Sequence, residues 1–235
     1  MSGLCVLIPA YNAEATLRGV IEGVKRSQHD IVLVDDGSTD CTSRIGREMG
    51  VTLLQHRGNR GKGRALRTGF TYVVEHGYEA VITIDADGQH DAAEIPRFVE
   101  LYRRQSPDII IGSRATQFHE MPWLRCFWNR LGAKAVSRLT KTLIRDSQSG
   151  YRLIRTDVLR DLKLTTSTYE TEMELLIKAC KKGYGVVNIP IIGHAINDTS
   201  TSHFRPVVDT FKICMLYLRS LLWKENIGEK GEMNA

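Results

Sequence analysis

Two hydrophobic rhythms alternate along the first half of the chain. Short runs at positions 4–8, 31–34, 51–54, 80–84 and 109–111 each read as a strand, and the run at 80–84, mostly apolar and β-branched, reads as a buried parallel one. Between them the spacing changes. Leu17, Val20, Ile21 and Val24 repeat at i, i+3, i+4 and i+7, which is one face of a helix. Ser38, Thr39 and Asp40 offer caps for a helix that ends near Gly50. A third helix is expected over 63–75, stopping at Gly77, and a fourth over 92–104 with Asp91 as its N-cap. Strand–helix alternation of this kind predicts an α/β fold, a doubly wound and mostly parallel sheet with helices on both faces.

Each apolar run ends in a polar cluster. "PAYNAE" follows the first, "DDGSTD" the second, "HRGNRGKG" the third, "DADGQHD" the fourth and "GSR" the fifth. Ligands of open α/β sheets bind beyond the carboxyl ends of the strands, so these clusters are expected to line one crevice. The sharpest is "VITIDADGQHD", where Asp85 and Asp87 stand one alanine apart at the end of a core strand. Two such carboxylates repel unless a positive group lies between them. They suit a hard divalent cation, Mg²⁺ or Mn²⁺, with Gln89 in reach of the metal or a bound phosphate. The alternative is one capping and one solvated aspartate. Asp35 and Asp36 are placed to accept hydrogen bonds from a base or a ribose. The competing reading of "DDGS" is a turn in which Asp36 fixes backbone N–H groups. Lys62 suits a phosphate or a base carbonyl. Arg114 and Arg152 are fork donors for phosphate, or partners for the aspartates of the site.

Composition narrows the choice. The chain has 235 residues, 42% apolar and 25% charged, with a formal net charge of +5. The excess suits an anionic partner, but no arginine–lysine block marks a nucleic-acid footprint, and none is expected to bind. Cys5, Cys41, Cys126, Cys180 and Cys214 have no metal-binding spacing and read as reduced thiols of a cytoplasmic protein. No signal peptide and no membrane span are expected. The chain carries neither GxGxxG nor GxxxxGK[ST], so neither a dinucleotide site nor a P-loop is supported. "IPAYNAE" stands where a nucleotidyltransferase would carry a glycine-rich loop, and the full set of aspartates and arginines counts against a mere binder.

Taken in order, "IPAYNAE", "VDDGSTD", "NRGKGRALRTGF", "DADGQHD", "GSR" and "DSQSGYRLI" resemble the family 2 glycosyltransferases of the GT-A fold. Within them the chain is most similar to the dolichol- or polyprenol-phosphate mannosyltransferase branch, over about residues 4–205. The resemblance implies inverting transfer of a sugar from a nucleotide-diphosphate sugar to a polyprenol-phosphate-type acceptor. It implies a catalytic domain over 1–205, with a nucleotide half to about 114 and an acceptor half beyond it. Pro9, Tyr11, Asn12, Glu14, Asp35, Asp36 and Lys62 would hold the nucleotide sugar. Asp85, Ala86 and Asp87 would form the metal and diphosphate motif, with Gln89 beside it. Arg114 and Arg152 would face phosphates, and Arg152, His203 and Arg205 would meet the acceptor. The expected catalytic set is Asp87, Arg114, Asp146, Arg152 and Glu172. The chain departs from the pattern at Ala13, where the branch has glutamate, and at His203, where it has lysine after serine.

The second half is read more coarsely. Residues 115–145 carry Trp123, Phe127 and Trp128 among basic residues and resemble acceptor-side helices. Glu170, Glu172 and Glu174 open a helix that ends at Gly183. If the acceptor were a hydroxyl of a glycan or lipid, a carboxylate here or at Asp146 would serve as general base. A phosphate acceptor needs none. Val208, Phe211, Met215, Leu218 and Leu222 form the apolar face of an amphipathic helix over 206–226, before a polar tail at 227–235. That helix either packs on the core or a homodimer partner, or lies on the cytoplasmic membrane face as a peripheral contact.

Overall fold

β1 (Leu4–Ala10) is buried at every position, as its uninterrupted apolar run requires. The structure, a computed structural model, describes residues 3–114, 132–134, 136–168, 170–192, 215 and 220. α1 (Leu17–Lys25), β2 (Asp30–Asp35), α2 (Thr42–Glu48), β3 (Thr52–Gln55), α3 (Lys62–Glu75) and β4 (Ala80–Thr83) follow in the expected alternation. A 3-10 turn (Ala92–Glu94) leads into α4 (Ile95–Gln105), and Asp91 caps it, its Oδ1 accepting from Ala93 N at 2.8 Å. β5 (Ile109–Ser113) closes the first half. α2 starts later than its expected caps, at Thr42. Asp40 still acts there, accepting from Thr42 N at 2.9 Å.

The second half adds two strands that hydrophobic spacing does not reveal, β6 (Arg152–Arg155) and β7 (Val186–Pro190). Between them lie α5 (Thr156–Asp161) and α6 (Glu170–Lys181). The sheet order is β3-β2-β1-β4-β6-β5-β7. All strands run parallel except β6, which is antiparallel to both β4 and β5. That reversal positions the site. Arg152, the first residue of β6, pairs with Thr83, the last of β4, so the loop before β6 arrives at the carboxyl edge of the parallel strands.

Alternate β1 side chains feed two cores. Leu4, Val6 and Ile8 pack with α1 and α4, while Cys5 and Leu7 pack with α3 and α6. α3 lies so close to β1 that a Cβ on Gly69 would sit 2.3 Å from Leu7 Cδ1. Leu7 is itself fully buried. Gly69→Ala is therefore expected to lower stability by about 1–3 kcal/mol, the usual cost of overpacking, although alanine favours the helix by about 1 kcal/mol. Urea unfolding reads this directly; a stabilised variant would contradict it.

His203 and Arg205, expected to meet the acceptor, and the aromatic side chains Trp123, Phe127 and Trp128 lie outside the described residues. So does the helix expected over 206–226, apart from Met215 and Ser220, which are helical. Ser220 is fully buried, and its carbonyl accepts a hydrogen bond from Lys181 Nζ.

Candidate active site

The carboxyl edge of the sheet gathers the five polar clusters. Loops after β1 and β2 lace together. Asn12, in a left-handed conformation (φ 49°), accepts from Thr39 N at 2.9 Å and donates its own N–H to Ser38 Oγ at 2.9 Å. Glu14 accepts from Cys41 N at 2.9 Å. Asp35 accepts from Ser38 N at 2.9 Å and from the Ser43 hydroxyl. Pro9 lies within β1, and Tyr11 is half-buried just beyond it. Asp36 is tied into the neighbouring loop. Its carboxylate accepts from Arg60 N at 3.0 Å, from Gly61 N at 2.7 Å and from His56 Nδ1 at 2.6 Å. This is the turn reading of "DDGS". Asp36 orders the glycine-rich loop and thereby sets where α3, and Lys62 at its first position, begins.

Asp85 and Asp87 follow β4 as expected, and their unequal surroundings answer the repulsion between them. Lys62 Nζ lies 2.7 Å from Asp85 Oδ1 and 3.3 Å from Glu172 Oε1. Burial alone would raise the proton affinity of Asp85, but the Lys62 charge outweighs it and holds the carboxyl below its ordinary range. Asp87 is pushed up instead, by burial first and then by the charge of Asp85. Its Oδ1 accepts from Gln89 N at 2.9 Å. Ala86 is buried between them, and its carbonyl accepts from Thr16 Oγ1 at 2.6 Å, which ties the turn to α1.

Two neighbours of this turn were not singled out by the sequence. His90 Nε2 lies 3.9 Å from Asp85 Oδ2, with the ring buried 5.2 Å from that of Tyr151. Burial drives His90 down to about 4, so the imidazole is neutral near neutral pH. Gly150 lies directly against Asp85; a Cβ there would come within 2.5 Å of Oδ2. The available signal was the glycine before "YR" in a loop already marked as polar.

Arg114 extends from the end of β5 and is fixed by Asp146. Its Nε donates to Oδ2 at 3.1 Å and its backbone N–H to the same oxygen at 3.3 Å. Burial would weaken the cation, but Asp146 more than compensates, so Arg114 stays charged although buried. Asp146 is fully buried in this pairing, with Oδ1 accepting from Gln148 N at 3.2 Å. It is therefore placed as the partner of Arg114 and not as a base open to an acceptor. Arg152 also departs from expectation. It is 1% exposed, and its guanidinium donates to the carbonyls of Ser149 at 2.8 Å, Glu172 at 2.6 Å and Ser147 at 2.9 Å. It joins the loop before β6 to α6 instead of offering a fork to a phosphate.

The three glutamates that open α6 separate by environment. Glu170 bonds the Thr168 hydroxyl. Glu174 accepts from the backbone and hydroxyls of Thr165 and Thr166 and pairs with Lys178, which draws it down to about 2 against the opposing effect of burial. Glu172 faces the site, and burial raises its proton affinity above the ordinary carboxylate range, against the pull of Lys62 and Arg152.

A mostly parallel α/β sheet with paired aspartates, a lysine and a fixed arginine at its carboxyl edge is the frame of a GT-A glycosyltransferase. The profile of glycosyl transferase family 2 matches residues 5–163, and the chain belongs to that family. It is 31% identical to a UDP-N-acetylglucosamine–dolichyl-phosphate N-acetylglucosaminyltransferase of Methanococcus voltae, covering 79% of this chain and 83% of that one. It is 29% identical to a polyprenol monophosphomannose synthase of Mycolicibacterium smegmatis, covering 79% and 75%. Among solved structures, glucosyl-3-phosphoglycerate synthase from Mycobacterium tuberculosis, in complex with Mn²⁺, UDP and glucosyl-3-phosphoglycerate, shares the fold. Its TM-score is 0.70 at 19% identity, over 94% of this chain and 79% of that one. Among the described residues no helix is long and apolar enough to cross a membrane.

Proposed function

We propose that the protein transfers a sugar, with inversion, from a nucleoside-diphosphate sugar to a lipid-linked phosphate of the polyprenol type. The observation that carries the donor side is the Asp85–Lys62–Glu172 cluster at the end of β4, with Arg114 across the crevice. The acceptor class rests on the relatives named above, which bear the names of dolichyl- and polyprenyl-phosphate enzymes.

Two carboxylates stand one residue apart after β4, and burial with the charge of Asp85 outweighs the pull of Lys62 and Arg114 on Asp87, so a further cation is called for and the pair fits a hard divalent one. Asp85 and Asp87 would hold Mg²⁺ or Mn²⁺, with Gln89 beside them, and the ion would neutralise charge on the departing diphosphate. Lys62 and Arg114 supply positive charge at the same edge. An acceptor phosphate oxygen attacks the anomeric carbon from the face opposite the diphosphate. The new C–O bond forms as the old one breaks, and the nucleoside diphosphate leaves with the electron pair.

A phosphate monoester carries about −1.5 to −2 charge at pH 7, with a second pKa of about 6, so this attack needs no protein base. Acceptor kcat/KM is expected to rise with pH through about 6 and then level off, as the dianion forms. Single-turnover transfer to a short polyprenyl phosphate and to the matching free alcohol checks the reading. The phosphate is expected to react and the alcohol to be inert. Glu172, buried in the site with a raised proton affinity, favours one rival, a hydroxyl acceptor with Glu172 as base. Transfer to the alcohol alone, abolished by Glu172→Gln, would establish that rival.

A further inference from the structure

Lys62 sits where a cation is needed. Its ammonium contacts Asp85 Oδ1 at 2.7 Å, and Asp85 is one of the two carboxylates that would hold the metal. A divalent ion and an ammonium compete for that carboxylate. The two cations repel at such close range, and each draws on the same negative charge. The second carboxylate on Lys62, Glu172 Oε1 at 3.3 Å, belongs to a different element, α6, and its side chain is only 10% exposed.

Charge counting gives the arrangement a direction. Lys62, Asp85, Asp87 and Glu172 in their charged forms leave two net negative charges in a half-buried crevice. One divalent ion brings that sum to zero, provided Lys62 stays in the cluster when it gives up Asp85. Glu172 provides the place for it to stay. The start of α6 is held against movement, because Arg152 grips the Glu172 carbonyl at 2.6 Å and Glu174 is tied to Thr165 and Thr166. The start of α3 is likewise fixed, by Asp36 on Gly61 N at 2.7 Å. Only the flexible Lys62 side chain has to swing.

We infer that Lys62 is an internal stand-in for the divalent cation, and that Glu172 is the seat onto which its ammonium moves when the metal takes Asp85. This rests on the metal reading above. It makes Lys62 a competitor of the metal in the empty enzyme and a cation for the diphosphate in the loaded one. It also makes Glu172 a positioning residue that acts through Lys62.

Titration of the full-length protein with Mn²⁺ alone, followed by the electron paramagnetic resonance signal of free Mn²⁺, tests it without any turnover. Lys62→Gln is expected to bind Mn²⁺ about tenfold more tightly than the wild type, a modest share of the attraction of an ammonium for a partly buried carboxylate. Glu172→Gln is expected to weaken Mn²⁺ binding in the wild-type background and to have little effect in the Lys62→Gln background. Equal or weaker binding by Lys62→Gln, with Asp87→Asn still weaker than wild type, would overturn the stand-in and leave the metal reading intact. A Glu172→Gln effect of the same size in both backgrounds would overturn the seat, since Glu172 would then act by its own charge. Absence of Mn²⁺ binding in both wild type and Lys62→Gln would overturn the metal reading and this inference together.

Discussion

Asp87→Asn is expected to lower sugar transfer by about 10²–10³-fold while leaving the fold intact, the usual loss when one preorganised electrostatic partner of the reacting charge is removed. Asp87 is half-buried after β4, and its Oδ1 accepts from Gln89 N at 2.9 Å. Asparagine keeps an acceptor oxygen for that bond, so the turn is preserved. It removes one of the two carboxylate charges of the pair, and with it much of the attraction for a divalent cation. Burial and the neighbouring Asp85 already disfavour the charged form of Asp87, so the substitution is not expected to destabilise the apo protein. Chelation of the wild type with EDTA should reproduce the loss, and added Mn²⁺ should reverse it only in the wild type. Steady-state kinetics beside a thermal unfolding curve separates this from misfolding. Full activity in EDTA would exclude a metal role for the pair.

The largest effect on stability is expected at Arg152. Removing one partner from a buried, hydrogen-bonded charge commonly costs about 3–5 kcal/mol, a large share of the roughly 5–15 kcal/mol that holds a domain together. Arg152→Met fills much of the same volume but leaves the carbonyls of Ser147, Ser149 and Glu172 without their donor. Each unsatisfied buried group costs about 1–3 kcal/mol. Arg152→Lys keeps one charge but cannot span three carbonyls lying in different directions, so it should lie between wild type and Arg152→Met. Urea unfolding of the three proteins orders them. A fully stable Arg152→Met protein would show that these ties are dispensable.

The parallel half of the sheet was legible because its inner strands, β1, β2 and β4, are buried on both faces along nearly their whole length. Such strands show as unbroken apolar runs, and each run stops abruptly at a polar cluster. "VITIDADGQHD" therefore announced both a core strand and the acidic edge of the site. β6 was not legible. Four residues, two of them arginines, carry no alternation, and strand direction leaves no mark in hydrophobic spacing. Arg152 and Asp36 were correctly marked as polar groups near the crevice, but the task of each depends on distance. A guanidinium suits three carbonyls as well as a phosphate, and a carboxylate suits two backbone N–H groups as well as a ribose. His90 stood in plain view after the aspartates, yet only the surrounding packing shows that its ring is buried beneath Asp85.

The reversed strand also sets a timetable. β6 lies between β4 and β5 in space but follows both in sequence, and Thr83 bonds to Arg152 across a separation of 69 residues. As the chain leaves the ribosome, β1 to β4 can pair with neighbours already made, whereas β5 has no partner until β6 and β7 are synthesised. Pairings of such long range are slow to form, because the intervening loop loses its freedom before any contact repays it. The aspartates, Lys62 and Arg114 are therefore all synthesised before the strand that brings Gly150 against Asp85 and holds Glu172 in place. Ribosome-bound chains stalled at increasing lengths should acquire protease resistance in two stages. Donor binding should arrive only with the second, once the chain has passed α6.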